Sequence, residues 1–112
     1  MSTLYKSELF HPLVTTAVTL YTCPEEVETI VKGIQVSNHG NNNIDFEIII
    51  TRSGADYEIS HKVVGSKTSV NALDTTVVLE AGDIVKTRQS VTHDIAGAMS
   101  YMEVRSDTKN PI

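Results

Sequence analysis

The sequence predicts an all-β fold: a single antiparallel β-sandwich, Ig-like or jelly-roll-like, of about seven to eight strands with extended terminal arms. Three observations carry this expectation. Val, Ile and Thr make up about a third of the chain while Leu and Ala are scarce, and a branched Cβ suits a pleated surface better than a helix. Apolar residues recur in strict alternation rather than at helical spacing. Turn-forming clusters punctuate the chain at intervals of about ten residues, the rhythm of a sandwich rather than of βαβ units. With 112 residues there is room for one domain. It divides into an N-terminal arm over 1–11, a sandwich over 12–104 and a C-terminal tail over 105–112.

Taken in order, residues 2–11 alternate weakly and read as an arm. Val14 to Thr22 is a Thr-rich strand closed by Cys23-Pro24, because proline cannot donate to a ladder. Pro24 to Glu28 is the one stretch that could hold a helical turn. Thr29 to Ser37 follows as a strand with Ile30, Ile34 and Val36 on one face. The run Asn38-His39-Gly40-Asn41-Asn42-Asn43 is a turn, since Asn and Gly tolerate positive φ. Ile44, Phe46, Ile48 and Ile50 then alternate with Asp45 and Glu47, giving a half-buried strand. Ser53 to Asp56 turns it into a second, with Tyr57, Ile59 and Val63 on the apolar face. Thr75 to Leu79, the turn Ala81-Gly82-Asp83, and Ile84 to Arg88 form the next pair. Ser100 to Val104 closes the sandwich, with Met102 and Val104 inward.

Composition excludes several function classes. Fourteen acids against nine Lys and Arg leave a net charge of -5, which disfavours nucleic acid and anionic membrane surfaces as partners. There is no Trp to serve as a stacking platform. A single Cys forms no internal disulfide and no four-Cys zinc site. Residues 1–10 carry Lys6 and Glu8 where a secretory signal would be apolar, so synthesis in a reducing cytoplasm is expected.

No constellation reaches catalytic or metal-binding specificity. His11, His39, His61 and His93 are scattered. Asp45 and Glu47 share a strand face and could both approach a cation, but such a pair is ordinarily the solvated side of a strand. Glu25, Glu26 and Glu28 read as an acidic loop. Cys23 has no sequence-local base beside it, and His93-Asp94 lacks a nucleophile. Gly65-Ser66-Lys67-Thr68 is like the tail of a phosphate loop without its first glycine. The expectation is therefore no catalytic residue, no cofactor and no metal.

In the order of its elements the chain resembles small β-sandwich virion proteins of tailed bacteriophages. The resemblance rests on Leu20-Tyr21-Thr22-Cys23-Pro24, on Thr29 through Asn38, on the Ile-rich pair, on Leu79-Glu80-Ala81-Gly82-Asp83-Ile84-Val85 and on Ser100-Tyr101-Met102-Glu103-Val104. It spans residues 10–105 and is topological and compositional. It implies a non-enzymatic structural protein of the virion, made in the host bacterial cytoplasm: a capsid decoration (cement) protein, or a neck, tail or fibre-attachment component. The implied partners are the major capsid protein or neck and tail proteins, together with further copies of the chain as a homo-oligomer. A carbohydrate- or receptor-binding module is the alternative class, with Tyr5, Tyr21, Tyr57 and Tyr101 as the available aromatics. Within the arm, Leu4, Tyr5, Leu9 and Phe10 are the expected assembly contacts, because they are more apolar than a free tail requires.

Overall fold

The computed structural model describes residues 2–105. Nine strands form two antiparallel sheets, and no helix occurs among the described residues. In chain order they are β1 (Ser2–Phe10), β2 (Val18–Thr22), β3 (Val27–Asn38), β4 (Ile44–Arg52), β5 (Ala55–Val64), β6 (Ser69–Asn71), β7 (Val77–Leu79), β8 (Ile84–Gln89) and β9 (Ile95–Arg105). One sheet runs β1-β9-β3, with the short β6 and β7 both pairing the far edge of β3; the other runs β2-β8-β4-β5. The chain crosses between sheets at every connection except the β4–β5 hairpin and the β6–β7 link. The first and last strands are neighbours. If β6 and β7 are counted as one interrupted strand, this is the eight-stranded double Greek key of a jelly roll, which decides between the two sandwich types expected.

The core lies between the sheets. Ile44, Phe46, Ile48 and Ile50 all point into it from β4, facing Val31, Ile34 and Val36 of β3 and Met99 and Tyr101 of β9. The β4–β5 hairpin closes on Ser53 and Gly54, both with positive φ (54° and 80°). Two such residues in sequence give a turn whose twist matches the strands it joins.

Several expectations are corrected. The N-terminal arm is a strand: Ser2–Phe10 pairs with Arg105–Gly97 of β9 without a break in register. Phe10 anchors it, its ring stacked on Phe46 at 6.1 Å between centroids and lying over Gly97, where a Cβ would sit 2.4 Å from the ring. β2 begins at Val18 rather than Val14, and no helical turn follows Pro24. In β3 a bulge between Val31 and Gly33 shifts the inward set from Val27, Thr29 and Val31 to Ile34, Val36 and Asn38, which places Ile30 outside. In β5 the buried positions are Ser60 and Val64, while Tyr57, Ile59 and Val63 are exposed. The cause is a bulge opposite Ile48 and Ile49 on a strand that ends the sheet. In β9 the inward residues are Met99, Tyr101 and Glu103, and Met102 and Val104 face outward. Of the tail expected over 105–112, only Arg105 falls within the described residues, as the last residue of β9.

Candidate functional site

The feature with the strongest interaction chemistry is β1 and the sheet face beside it. Leu4 is 52%, Tyr5 80% and Leu9 81% exposed. Of the four expected assembly contacts these three lie on the surface, whereas Phe10 is packed against the core. Pairing then extends the patch across the sheet. Tyr5 lies beside Met102, Met102 beside Ile30, and Ile30 beside Val78. These four apolar side chains form a row across four strands on the face turned away from the sandwich interior, with Val78 half exposed. Sequence reading missed Met102, Ile30 and Val78 because it assigned the first two to the core. The break in apolar parity between Val31 and Ile34, with Lys32-Gly33 between them, is the signal that a bulge lies there.

The opposite row of β1 is tied to a polar cluster between the sheets. Lys6 Nζ lies 3.0 Å from Glu103 Oε1. Tyr21 Oη donates to Glu103 Oε2 at 2.5 Å and lies 2.8 Å from Thr29 Oγ1. Burial opposes the charge on Glu103, yet the bonds from Tyr21 and Lys6 outweigh it and hold its carboxyl below the usual range. Burial, reinforced by Glu103, pushes the Tyr21 phenol well up. Tyr101 Oη donates to Glu8 at 3.2 Å, and its own pKa is pushed up to about 12 by burial and by Glu8. Cys23 completes the cluster: its thiol donates to Val27 O at 3.3 Å, and burial raises its pKa, the opposite of an activated thiolate.

Outside this region several of the candidate side chains are engaged in structural contacts. Glu47, Glu58 and His61 have ligand atoms within 4.8 Å of one another on the outer face of the second sheet and are the residues best placed to hold a cation. Arg88 already stands among them, donating from Nε to Glu47 at 2.6 Å and reaching Glu58 at 3.8 Å. Asp45, expected beside Glu47, approaches His61 at 3.9 Å. Gly65 to Thr68 is a turn closed by the Thr68 amide on Gly65 O, with no helix behind it to hold a phosphate. His93 and His11 are joined by a 3.0 Å bond from the His11 ring to His93 O. The Asp94 carbonyl accepts the amide of His39. Arg52 forms a two-pronged pair with buried Asp83, at 2.9 Å from Nε and 2.5 Å from Nη2, which braces the β4–β5 hairpin against the β7–β8 turn.

No family model matches this sequence, and no curated protein matches it. Among solved structures the chain is similar to a subunit of Bacillus endospore appendages, described as a family of disulfide-linked pili, with a TM-score of 0.58 at 11% identity over 93% of this chain and 88% of that one. It is also similar to a chain of infectious bursal disease virus, Gx strain, with a TM-score of 0.49 at 8% identity over 98% of this chain and 33% of that one. A third likeness is to the N-terminal modules of an endo-1,4-β-D-xylanase of Clostridium thermocellum complexed with xylohexaose, with a TM-score of 0.49 at 12% identity over 82% of this chain and 19% of that one. At these identities the first likeness shows the fold, and the two looser superpositions carry no argument.

Proposed function

We propose that the chain is a non-enzymatic structural subunit that acts by assembling, and that its particle is a tailed-phage virion in which it decorates and stabilises the capsid. The observation that carries the assembling role is the outward-facing apolar row of Tyr5, Met102, Ile30 and Val78, exposed at its two ends and part-buried at Met102 and Ile30, beside an open sheet edge. Contiguous apolar surface of this kind marks interaction sites. Because β9 already holds β1 in register, a partner that docks there orders no floppy tail, and little of the gain from burial is lost to chain entropy.

The first structural likeness supports the same role, since that relative is described as a pilus component. The chemistry of the joint differs. Those pili are disulfide-linked, whereas the single cysteine here is buried between the sheets, so contacts in this assembly are non-covalent. The order of elements in the sequence resembles that of small phage virion proteins, which supports a virion location and leaves the choice between capsid and neck or tail to experiment. Quantitative mass spectrometry of purified particles tests it. Decoration requires copies in proportion to the major capsid protein. A single ring's worth of copies would move the protein to the neck or tail, and absence from particles would overturn the virion reading.

A further inference from the structure

Three of the four sheet edges are interrupted. β2 has five residues and a bulge after Thr19. β5 is kinked by the bulge opposite Ile48 and Ile49, and Ser60 Oγ and Lys62 Nζ reach from it to Ala72 O and Asp74 on the following segment. The far edge of β3 carries only the three-residue fragments β6 and β7. Such interruptions are how sheets avoid pairing with other chains. β1 alone is long and regular: nine residues, no register shift, and no strand on its outer side among the described residues.

We propose that β1 pairs antiparallel with β1 of a second copy of this chain, in the register centred on Ser7. This rests on the reading of the chain as an assembling subunit and names its partner. Antiparallel pairing of a strand with itself is two-fold symmetric, so one residue lies opposite its own copy and the rest follow. With Ser7 at the centre, Lys6 faces Glu8 of the other copy and Glu8 faces its Lys6. Tyr5 faces Leu9 on the outer side, and Leu4 faces Phe10 on the inner side. Both charges find opposite partners, the exposed Tyr5 and Leu9 cover one another, and the small Ser7 sits on the axis. Pro12, which has no amide hydrogen, falls where pairing ends. The neighbouring registers that keep the faces matched, centred on Lys6 or Glu8, set Lys6 against Lys6 or Glu8 against Glu8, and like charges directly opposite are unfavourable. The product is one continuous sheet, β3-β9-β1 joined to β1-β9-β3 of the other copy, with the two apolar rows on the same face.

The test uses the full chain in two measurements. Mild oxidation of Ser7→Cys gives a disulfide-linked dimer. Oxidation of Leu9→Cys does not, because Leu9 lies four residues, ~14 Å at about 3.4 Å per residue, from the level of its own copy. Cys23 is buried in both. By sedimentation, the wild type shows a monomer–dimer equilibrium that Glu8→Lys weakens roughly tenfold through two like-charge contacts. Mixing Glu8→Lys with Lys6→Glu restores a mixed dimer. A wild type that stays monomeric, or a Ser7→Cys variant that cross-links no faster than Leu9→Cys, overturns the proposal. Incorporation into particles without self-pairing would overturn this inference and leave the virion role standing. Self-pairing of a protein absent from particles would do the reverse.

Discussion

Truncating Phe46 to alanine probes the packing that seats both the core and β1. Phe46 is fully buried in β4, an interior strand of its sheet, and its ring stacks on Phe10 with an interplanar angle of 18°. Removing a large buried aromatic costs about 3–5 kcal/mol in lost transfer energy and residual cavity. The stacked pair contributes about 0.5–1.5 kcal/mol beyond area burial, which places the expected loss in the upper part of that range. At roughly 0.05–0.15 kcal/mol per residue the whole chain is stable by about 6–17 kcal/mol, so the variant retains a fold with a much smaller margin. In urea denaturation, with an m-value of about 2 kcal/mol per M, the midpoint falls by about 2 M while the slope is unchanged. Asp45→Ala, on the exposed face of the same strand, shifts the loss by no more than about 0.5 kcal/mol. If the two variants exchanged roles, the side-chain alternation of β4 would be displaced by one residue and the core assignment would be wrong.

Gly97→Ala brings a Cβ to 2.6 Å from the Gln35 carbonyl and 2.4 Å from the Phe10 ring. A loss of about 1–3 kcal/mol is expected, with faster hydrogen exchange at the β1 amides because Phe10 is displaced. Deleting residues 1–11 removes Phe10 from Phe46 and Lys6 from Glu103; calorimetry is expected to show a lower melting temperature, and an unchanged one would mean that β1 is an appendage. Asp83 titrates below the ordinary carboxylate range because Arg52 is bonded to it. The unfolded chain thus takes up the proton first: the stabilisation is intact above about pH 4 and is lost as pH falls through the lower folded value. Asp83→Asn is expected to flatten that acid limb in a stability–pH series, and an unaltered limb would assign it to other carboxylates. Chelator is expected to leave the melting temperature unchanged, since Arg88 already stands between Glu47 and Glu58; a large drop restored by a divalent cation would make Glu47, Glu58 and His61 a metal site.

The sandwich class, the β4–β5 hairpin and the burial of Ile44, Phe46, Ile48 and Ile50 were legible in the sequence, because each depends on residues close together in the chain. Alternation within a strand and a pair of turn residues are local signals, and they need no knowledge of what lies opposite. The apolar character of residues 4–10 was legible for the same reason, whereas the continuation of the row from Tyr5 through Met102, Ile30 and Val78 was not. Which alternate set of β9 faces inward was not. Met99 and Tyr101 stand on one face, Met102 and Val104 on the other, and both sets are apolar. Only pairing with β1 and β3 decided, by turning Glu103 toward Tyr21 and Lys6 and leaving Met102 beside Tyr5 and Ile30. Likewise the bulges at Val31–Gly33 and opposite Ile48–Ile49 are properties of two strands at once. Ser2–Phe10 became a strand through a partner more than eighty residues away, at Gly97–Arg105. Local chemistry determined which residues can form a strand. Register between distant segments decided which of their two faces meets the core and which is left for a partner, because a single-residue shift exchanges the faces without altering the pattern along the chain.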